Sequence, residues 1–218
     1  FKIDLRLRPY GQAGSMAVPL DSFKKYYSQG GPAWEYERQA LVKLRHIIGD
    51  QEFGREIIKL RDSIIYTEDP LDLAAMRAMR ERQVRQLVAG GTINAKFSSG
   101  GLVDLEYLIQ SLQIIHGKKS RKLRVTNTRE AIFALKEKKI ITKKDFDKLL
   151  AAHLFLRRLI QALRIVRGNA NDLTIPDVGS NEFLFLAKRL DYDNPDKMQK
   201  DIIKNTTFVH EINQRLLA

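Results

Sequence analysis

The first nine residues, Phe1 to Pro9, carry the clearest period-two pattern in a chain that otherwise reads as helix. That mismatch constrains the fold more than any other feature. Phe1, Ile3, Leu5 and Leu7 alternate with Lys2, Asp4, Arg6 and Arg8, which suits a strand with one buried face. After a turn signal from Gly11 to Gly14, Met16 to Pro19 can return as a second strand, so a hairpin over residues 1–20 is expected. An isolated hairpin is marginal in water, and four large apolar residues on one face call for a sheet beside them. Because residue 1 already lies inside the pattern, the chain reads as a piece of a longer protein whose N-terminal part supplies that sheet.

From residue 21 to residue 218 the text is helical. Asp21 or Ser22 can cap a helix to about Ser28, and Pro32 suits the first turn of a long helix to about Ile48. In that second helix Leu41, Leu44 and Ile48 form the expected buried stripe, with Trp34 and Tyr36 as packing residues. A third runs from Gln51 to Ile65. Asp69-Pro70 opens another, with apolar residues at three-to-four spacing up to Gly90-Gly91. Thr92 to Phe97 alternates weakly. A nearly all-apolar helix spans Leu102 to His116. Later helices start at Thr126 or Asn127, at Thr142 (with Asp145 three residues on), at Ser180-Asn181 and at Asn194-Pro195. The expected class is mainly α: a bundle of seven or eight helices behind an N-terminal β-hairpin.

No apolar run approaches the roughly 18 residues that span a bilayer, and no signal peptide is visible. Cysteine is absent, which removes disulfides and thiolate metal sites, and the four histidines have no metal-ligand spacing. A cytoplasmic protein is expected. The net charge of +12 raises nucleic acid or an acidic partner. Its densest cluster, Lys118, Lys119, Arg121, Lys122 and Arg124, reads first as a solvated connection, and no nucleic-acid recognition motif accompanies it.

Two stretches carry candidate chemistry. On the polar face of the first strand, Asp4, Arg6 and Arg8 stand roughly 7 Å apart. One carboxylate can hold a divalent ion while two guanidinium forks grip phosphate oxygens, although on spacing alone a solvated strand with an ordinary Asp–Arg pair is the plainer reading of the pattern. The second stretch runs from Lys96 to Gln110. Gly100 and Gly101 at a helix entrance can expose N–H groups to an anion. Asp104 sits in the first helical turn, as a capping acid or a ligand-side carboxylate. Glu106 and Gln110 share one face of an apolar helix, with Gln113 continuing it, so both need partners. Asp104 and Glu106 point about 200° apart on an ideal helix and should not share one metal.

Taken together these texts resemble the glutamine synthetase adenylyltransferase family. Its V-D-x-R-L-R-P-x-G strand is matched by Ile3 to Gly11. Its W-E-x-x-A-L-x-R/K-x-R helix is matched by Tyr36 to Arg45, with tyrosine in the tryptophan position. Its K-x-x-x-G-G-I/L-x-D-I/L-E-F/Y-x-x-Q segment is matched by Lys96 to Gln110, and an F-L-R-x-L helix by Phe155 to Leu159. The resemblance implies a polymerase-β-like nucleotidyltransferase. Residues 1–20 would be the last strands of the catalytic sheet and 21–218 an associated helical domain. It further implies a bifunctional enzyme that adenylylates or de-adenylylates a tyrosine of glutamine synthetase, with Mg2+ and ATP (or ADP and phosphate) as cofactors and the PII signal protein as a further partner. Asp4 would be a metal carboxylate, Arg6 and Arg8 would contact phosphates or stabilise the site, and Lys96, Asp104 and Glu106 would border the cleft. The family's G-S…D-x-D motif is absent from this sequence. The chain alone should therefore lack two-metal catalysis and hold no bound cofactor. The alternatives are the related helical segment of a PII-protein uridylyltransferase, and a non-catalytic basic helical module that binds a protein partner. No nucleic acid or membrane is expected.

Overall fold

The computed structural model describes residues 7–169 and 171–217, so the expected first strand, with Asp4 and Arg6, lies outside the described residues apart from its end. Among the described residues the chain is mainly helical and contains no strand. The one β-type pairing recorded there is an antiparallel bridge between Asn94 and Thr174. The helices are α1 (Leu20–Tyr27), α2 (Glu35–Ala40), α3 (Gln51–Ile65), α4 (Leu73–Leu87), α5 (Leu102–Gly117), α6 (Thr128–Glu137), α7 (Lys143–Arg167), α8 (Asn181–Arg189) and α9 (Pro195–Leu216).

The returning strand at Met16 to Pro19 is not formed. Arg8 Nε donates to the Gly14 carbonyl (3.1 Å), and its Nη atoms reach the Gln12 carbonyl (3.4 Å) and Met16 Sδ (3.0 Å). One guanidinium thus ties its own loop into a knot of turns, and Pro19, which has no N–H to offer a ladder, leads directly into α1.

The long helix expected over 32–48 also breaks. α2 ends at Ala40, a 3₁₀ turn covers Leu41–Lys43, and Leu44 is extended. Its freed carbonyl accepts from Arg61 Nη1 at 2.9 Å, so the buried Arg61 of α3 draws it out of the helical pattern. Ile48, placed in the buried stripe, is instead 90% exposed, and Trp34 and Tyr36 stack on each other at the surface. Elsewhere the caps do what their chemistry allows. Asp50, Thr142, Ser180 and Asn194 each accept a hydrogen bond from a backbone N–H in the first turn of the helix that follows.

The chain divides into two compact units. The first comprises residues 1–76 and 110–131. Its core gathers Tyr26, Tyr27, Ala33, Leu41, Val42, Ile65 and Tyr66, with Phe23, Leu44 and Ile114 packed against them. Two buried amides serve it. Gln39 donates to Gln110 (2.9 Å), and Gln113 donates to the carbonyls of Leu123 and Val125 (2.6 and 2.8 Å). The second unit comprises residues 77–109 and 132–218. Helices α7, α8 and α9 pack on one another there, around fully buried Leu149, Leu156, Leu159, Leu163, Phe183, Leu186 and Met198. Leu154 is 43% exposed on the outer face of α7, and Arg157, Arg158 and Arg164 are exposed there as well.

Candidate functional site

Within the second unit the stretch from Asn94 to Glu106 folds into one closed turn that opens α5. Asn94 pairs with Thr174, and Ala95 N donates to the Leu173 carbonyl (2.9 Å). The Asn94 side chain accepts from Lys96 N and Phe97 N, both at 3.0 Å. The two glycines have different duties. Gly100 has φ +75°, and a Cβ there would overlap the Thr206 carbonyl of α9, so two backbones meet where only glycine fits. Gly101 closes the turn onto the Ser98 carbonyl (2.8 Å).

These contacts overturn the expectation of an anion cradle at the glycine pair. Gly100 N–H is held by Asp104 Oδ2 at 2.6 Å and Gly101 N–H by Ser98. The next two amides, Leu102 and Val103, donate to the Ala95 and Lys96 carbonyls, both at 3.1 Å. The donors that a helix N-terminus leaves open are therefore consumed by the chain itself.

Asp104 acts as the capping acid of this turn and also takes the buried arginine. Its Oδ1 accepts from Arg80 Nε at 2.5 Å, and its backbone carbonyl accepts from Asn213 of α9 at 3.0 Å. Arg80 reaches on to the Phe97 carbonyl at 2.7 Å and the Ser98 carbonyl at 3.3 Å. Arg80 was not singled out from the sequence, yet a signal was there. Met76, Arg80 and Val84 recur every four residues, so Arg80 falls on the apolar stripe of α4. A cation in that position has to find a buried carboxylate. Beside it, burial pushes the Tyr107 phenol above its ordinary range, partly offset by a hydrogen bond with Gln83.

Glu106 is the exception in this segment. It is half-buried, and no cation or hydrogen-bond donor among the described residues pairs with it. Lys96 is also half-buried, with its ammonium over the Phe97 ring at 4.8 Å. The second unit therefore brings Lys96, Asp104 and Glu106 into one turn and helix start. Arg8 belongs to the first unit, where it braces the loop from Gly11 to Met16; Asp4 and Arg6 lie outside the described residues. The family-like helix text around Glu37 has a structural use. Glu37 accepts from Trp34 N and from the Tyr26 hydroxyl, both at 2.9 Å, locking the start of α2 onto α1. Among the described residues no three His, Asp or Glu side chains gather where they could hold a metal ion, and no helix is long and apolar enough to cross a membrane.

Helices α4 to α9 coincide with a segment that one family model matches. Residues 74–217, about two thirds of the chain, match the family model described as GlnD PII-uridylyltransferase, and the chain belongs to that family. Residues 1–59 match a second model, glutamate-ammonia ligase adenylyltransferase. The likeness to particular proteins is to bifunctional glutamine synthetase adenylyltransferase/adenylyl-removing enzymes. That of Mycobacterium marinum is 32% identical over 200 residues, 90% of this chain and 20% of the relative. That of Mycobacterium leprae is 34% identical over 200 residues, again 90% and 20%. That of Streptomyces coelicolor is 35% identical over 176 residues, 78% and 17%. The resemblance carried by the three motifs is thus shown, and the chain spans about a fifth of the length of these relatives.

Proposed function

We propose that this chain is the helical, cleft-bordering part of an enzyme that transfers AMP to a tyrosine of glutamine synthetase or removes it. The observation that carries this reading is continuous likeness, over nine-tenths of the chain, to proteins named for both reactions. Geometry supports a division of labour within the segment from Lys96 to Gln110. Asp104 is a positioning residue: its oxygens are spent on Arg80 and Gly100, which sets the pitch of α5. Glu106 has no such employment among the described residues, and as a half-buried carboxylate it is suited to face substrate or a proton in transfer. Lys96 offers an ammonium to a phosphate. Arg8, whose guanidinium is occupied by the carbonyls of its own loop, stabilises that loop; Arg6 takes the phosphate-contacting part.

Magnesium, when bound with ATP, supplies charge neutralisation at the phosphates, and Asp4 is the residue of this chain that would hold it. Cytoplasmic location and PII as an effector protein belong to the same proposal. The test uses the enzyme that carries this segment. Asp4→Asn and Glu106→Gln should each lower AMP incorporation into glutamine synthetase at least about tenfold, with far-UV circular dichroism unchanged. Normal turnover in both variants would overturn the assignment.

A second reading has its own support in the match of residues 74–217 to the uridylyltransferase model. Offering glutamine synthetase with ATP and PII with UTP side by side decides between them: label on PII alone would replace the adenylyl reading.

A further inference from the structure

The basic cluster at residues 118–124 has no part in the site described above, and it is not a loose solvated connection. It closes one wall of a cavity of about 820 Å³ in the first unit, with Lys59 of α3 on the other side. Arg124 forms the fixed floor. Its Nε donates to the Gly117 carbonyl (2.9 Å), Nη1 pairs with Asp62 (3.1 Å), and its guanidinium lies over the Tyr66 ring at 4.7 Å. Gly117 is obligatory, since a Cβ there would overlap the same ring.

The charge balance of this cavity is one-sided. Lys59, Lys118, Lys119, Arg121 and Arg124 line it with a single carboxylate, Asp62. Asp62 is already spent, held by Arg61 (2.5 Å) as well as Arg124. Lys118 reaches out to Glu68. Lys59, Lys119 and Arg121, from two separate segments of the chain, form no ion pair among the described residues, and Lys119 touches Glu68 only through its field. The Tyr66 hydroxyl, in a residue only 5% exposed, has no hydrogen-bond partner there either. Three cations without an ion pair share one hollow with two paired ones, and they repel one another unless a further anion sits among them.

We propose that this cavity binds a small anion carrying two or more phosphoryl groups, held by Lys59, Lys119 and Arg121 above the Arg124 floor. Charge-assisted hydrogen bonds from guanidinium and ammonium groups suit phosphate oxygens, and the two-sided arrangement favours a chain of phosphates over a single one. The buried Tyr66 has little room for a stacked base, so the phosphates are what the cavity recognises. The field of the cluster is felt locally. The His116 imidazole is lowered from its ordinary value, first by burial and then by the charge of Lys119.

The test is isothermal titration of the full chain with sodium tripolyphosphate at constant ionic strength, with sulfate as the control anion. One saturable site is expected. The double variant Lys119→Gln/Arg121→Gln should weaken it at least about tenfold, which is about 1.4 kcal/mol. Both side chains are exposed, so the fold survives their loss. Lys143→Gln/Lys144→Gln removes the same charge from exposed positions on α7 in the other unit and should leave the affinity within about twofold. ATP binding more tightly than tripolyphosphate would identify the phosphate source as a nucleotide tail, and the reverse as a free polyphosphate; either supports the site. Absence of saturation, equal binding of sulfate, or equal loss in the α7 control would overturn it.

Discussion

Replacing Asp104 by asparagine measures how much of this segment is a folding device. Side chains of Arg80 and Asp104 are 10% and 12% exposed, so the pair is screened little by solvent. Removing one partner of such a buried pair costs about 3–5 kcal/mol, because the other charge is left uncompensated. Asparagine keeps an oxygen for Gly100 N–H, and Arg80 keeps its bonds to the Phe97 and Ser98 carbonyls. The expected cost of Asp104→Asn therefore falls below that range, at about 2–3 kcal/mol. Asp104→Ala also strips the acceptor from Gly100 and should reach about 3–5 kcal/mol. Arg80→Met leaves a buried carboxylate held by one amide and should fall in the same range. A double-mutant cycle between the two positions should return a coupling of about 2 kcal/mol. Urea unfolding followed by far-UV circular dichroism supplies the free energies. Hydrogen exchange at the Gly100 amide supplies a local readout, because Asp104 is the group that protects it. Changes within about 0.5 kcal/mol for all three variants, or an additive cycle, would refute the reasoning. Asp104→Asn with wild-type stability and abolished nucleotidyl transfer would make Asp104 a substrate contact instead.

Other perturbations follow from the same geometry. Gly100→Ala should cost about 3 kcal/mol or more, through positive φ and overlap with Thr206, whereas Gly90→Ala, with open space around it, should be near neutral; equal urea midpoints for the two would contradict this. Gln39→Ala strands the Gln110 side-chain oxygen in the first core and should cost about 1–3 kcal/mol by urea unfolding; no change would show that the amide pair contributes nothing. Burial raises the Asp145 carboxyl, but the Thr142 hydroxyl and the Arg215 guanidinium outweigh it and hold its pKa below the ordinary value. A depressed folded pKa means that this stabilisation is complete at neutral pH and is lost as pH falls below about 4 through the folded value. The stability gap between wild type and Arg215→Gln should accordingly narrow between about pH 7 and about pH 3, and a gap that widens on acidification would reverse the sign.

How much of this was legible in the sequence depends on whether a residue's partner lies nearby in the chain. α3 emerges over the residues expected, and Asp50, Asn127, Thr142, Ser180 and Asn194 accept from amides two or three residues ahead. The break at Leu44 was hidden because its cause, Arg61, is seventeen residues away and looks like one more surface arginine. The buried glutamines are an intermediate case. Apolar neighbours all round α5 required Gln110 and Gln113 to have partners, yet nothing local named Gln39 or the Leu123 and Val125 carbonyls. The same limit applied to Asp104. Its capping role is local and was readable, while its arginine stands twenty-four residues upstream. The pairing that periodicity left to Glu106 belongs to Asp104.

That exchange of partners also changes what the family-like text says about chemistry. In the run from Lys96 to Gln110, Gly100 is fixed by the approach of Thr206, Gly101 by the turn, Asp104 by Arg80 and Gly100, and Gln110 by Gln39. Leu105, Leu108 and Ile109 are fully buried core. Each of these positions could be dictated by folding alone, so their likeness to the family pattern carries the architecture of α5 and not, by itself, a reaction. Glu106 stands apart because the described residues give it nothing to do: it gives up part of its hydration on a half-buried face without a compensating cation or donor among them. An uncompensated cost in an otherwise satisfied segment is the physical mark of a group kept for something outside the chain. If that inference holds, Glu106→Gln leaves stability unchanged or raised while lowering transfer, the opposite of the Asp104 variants, and loss of stability in Glu106→Gln would return it to the scaffold.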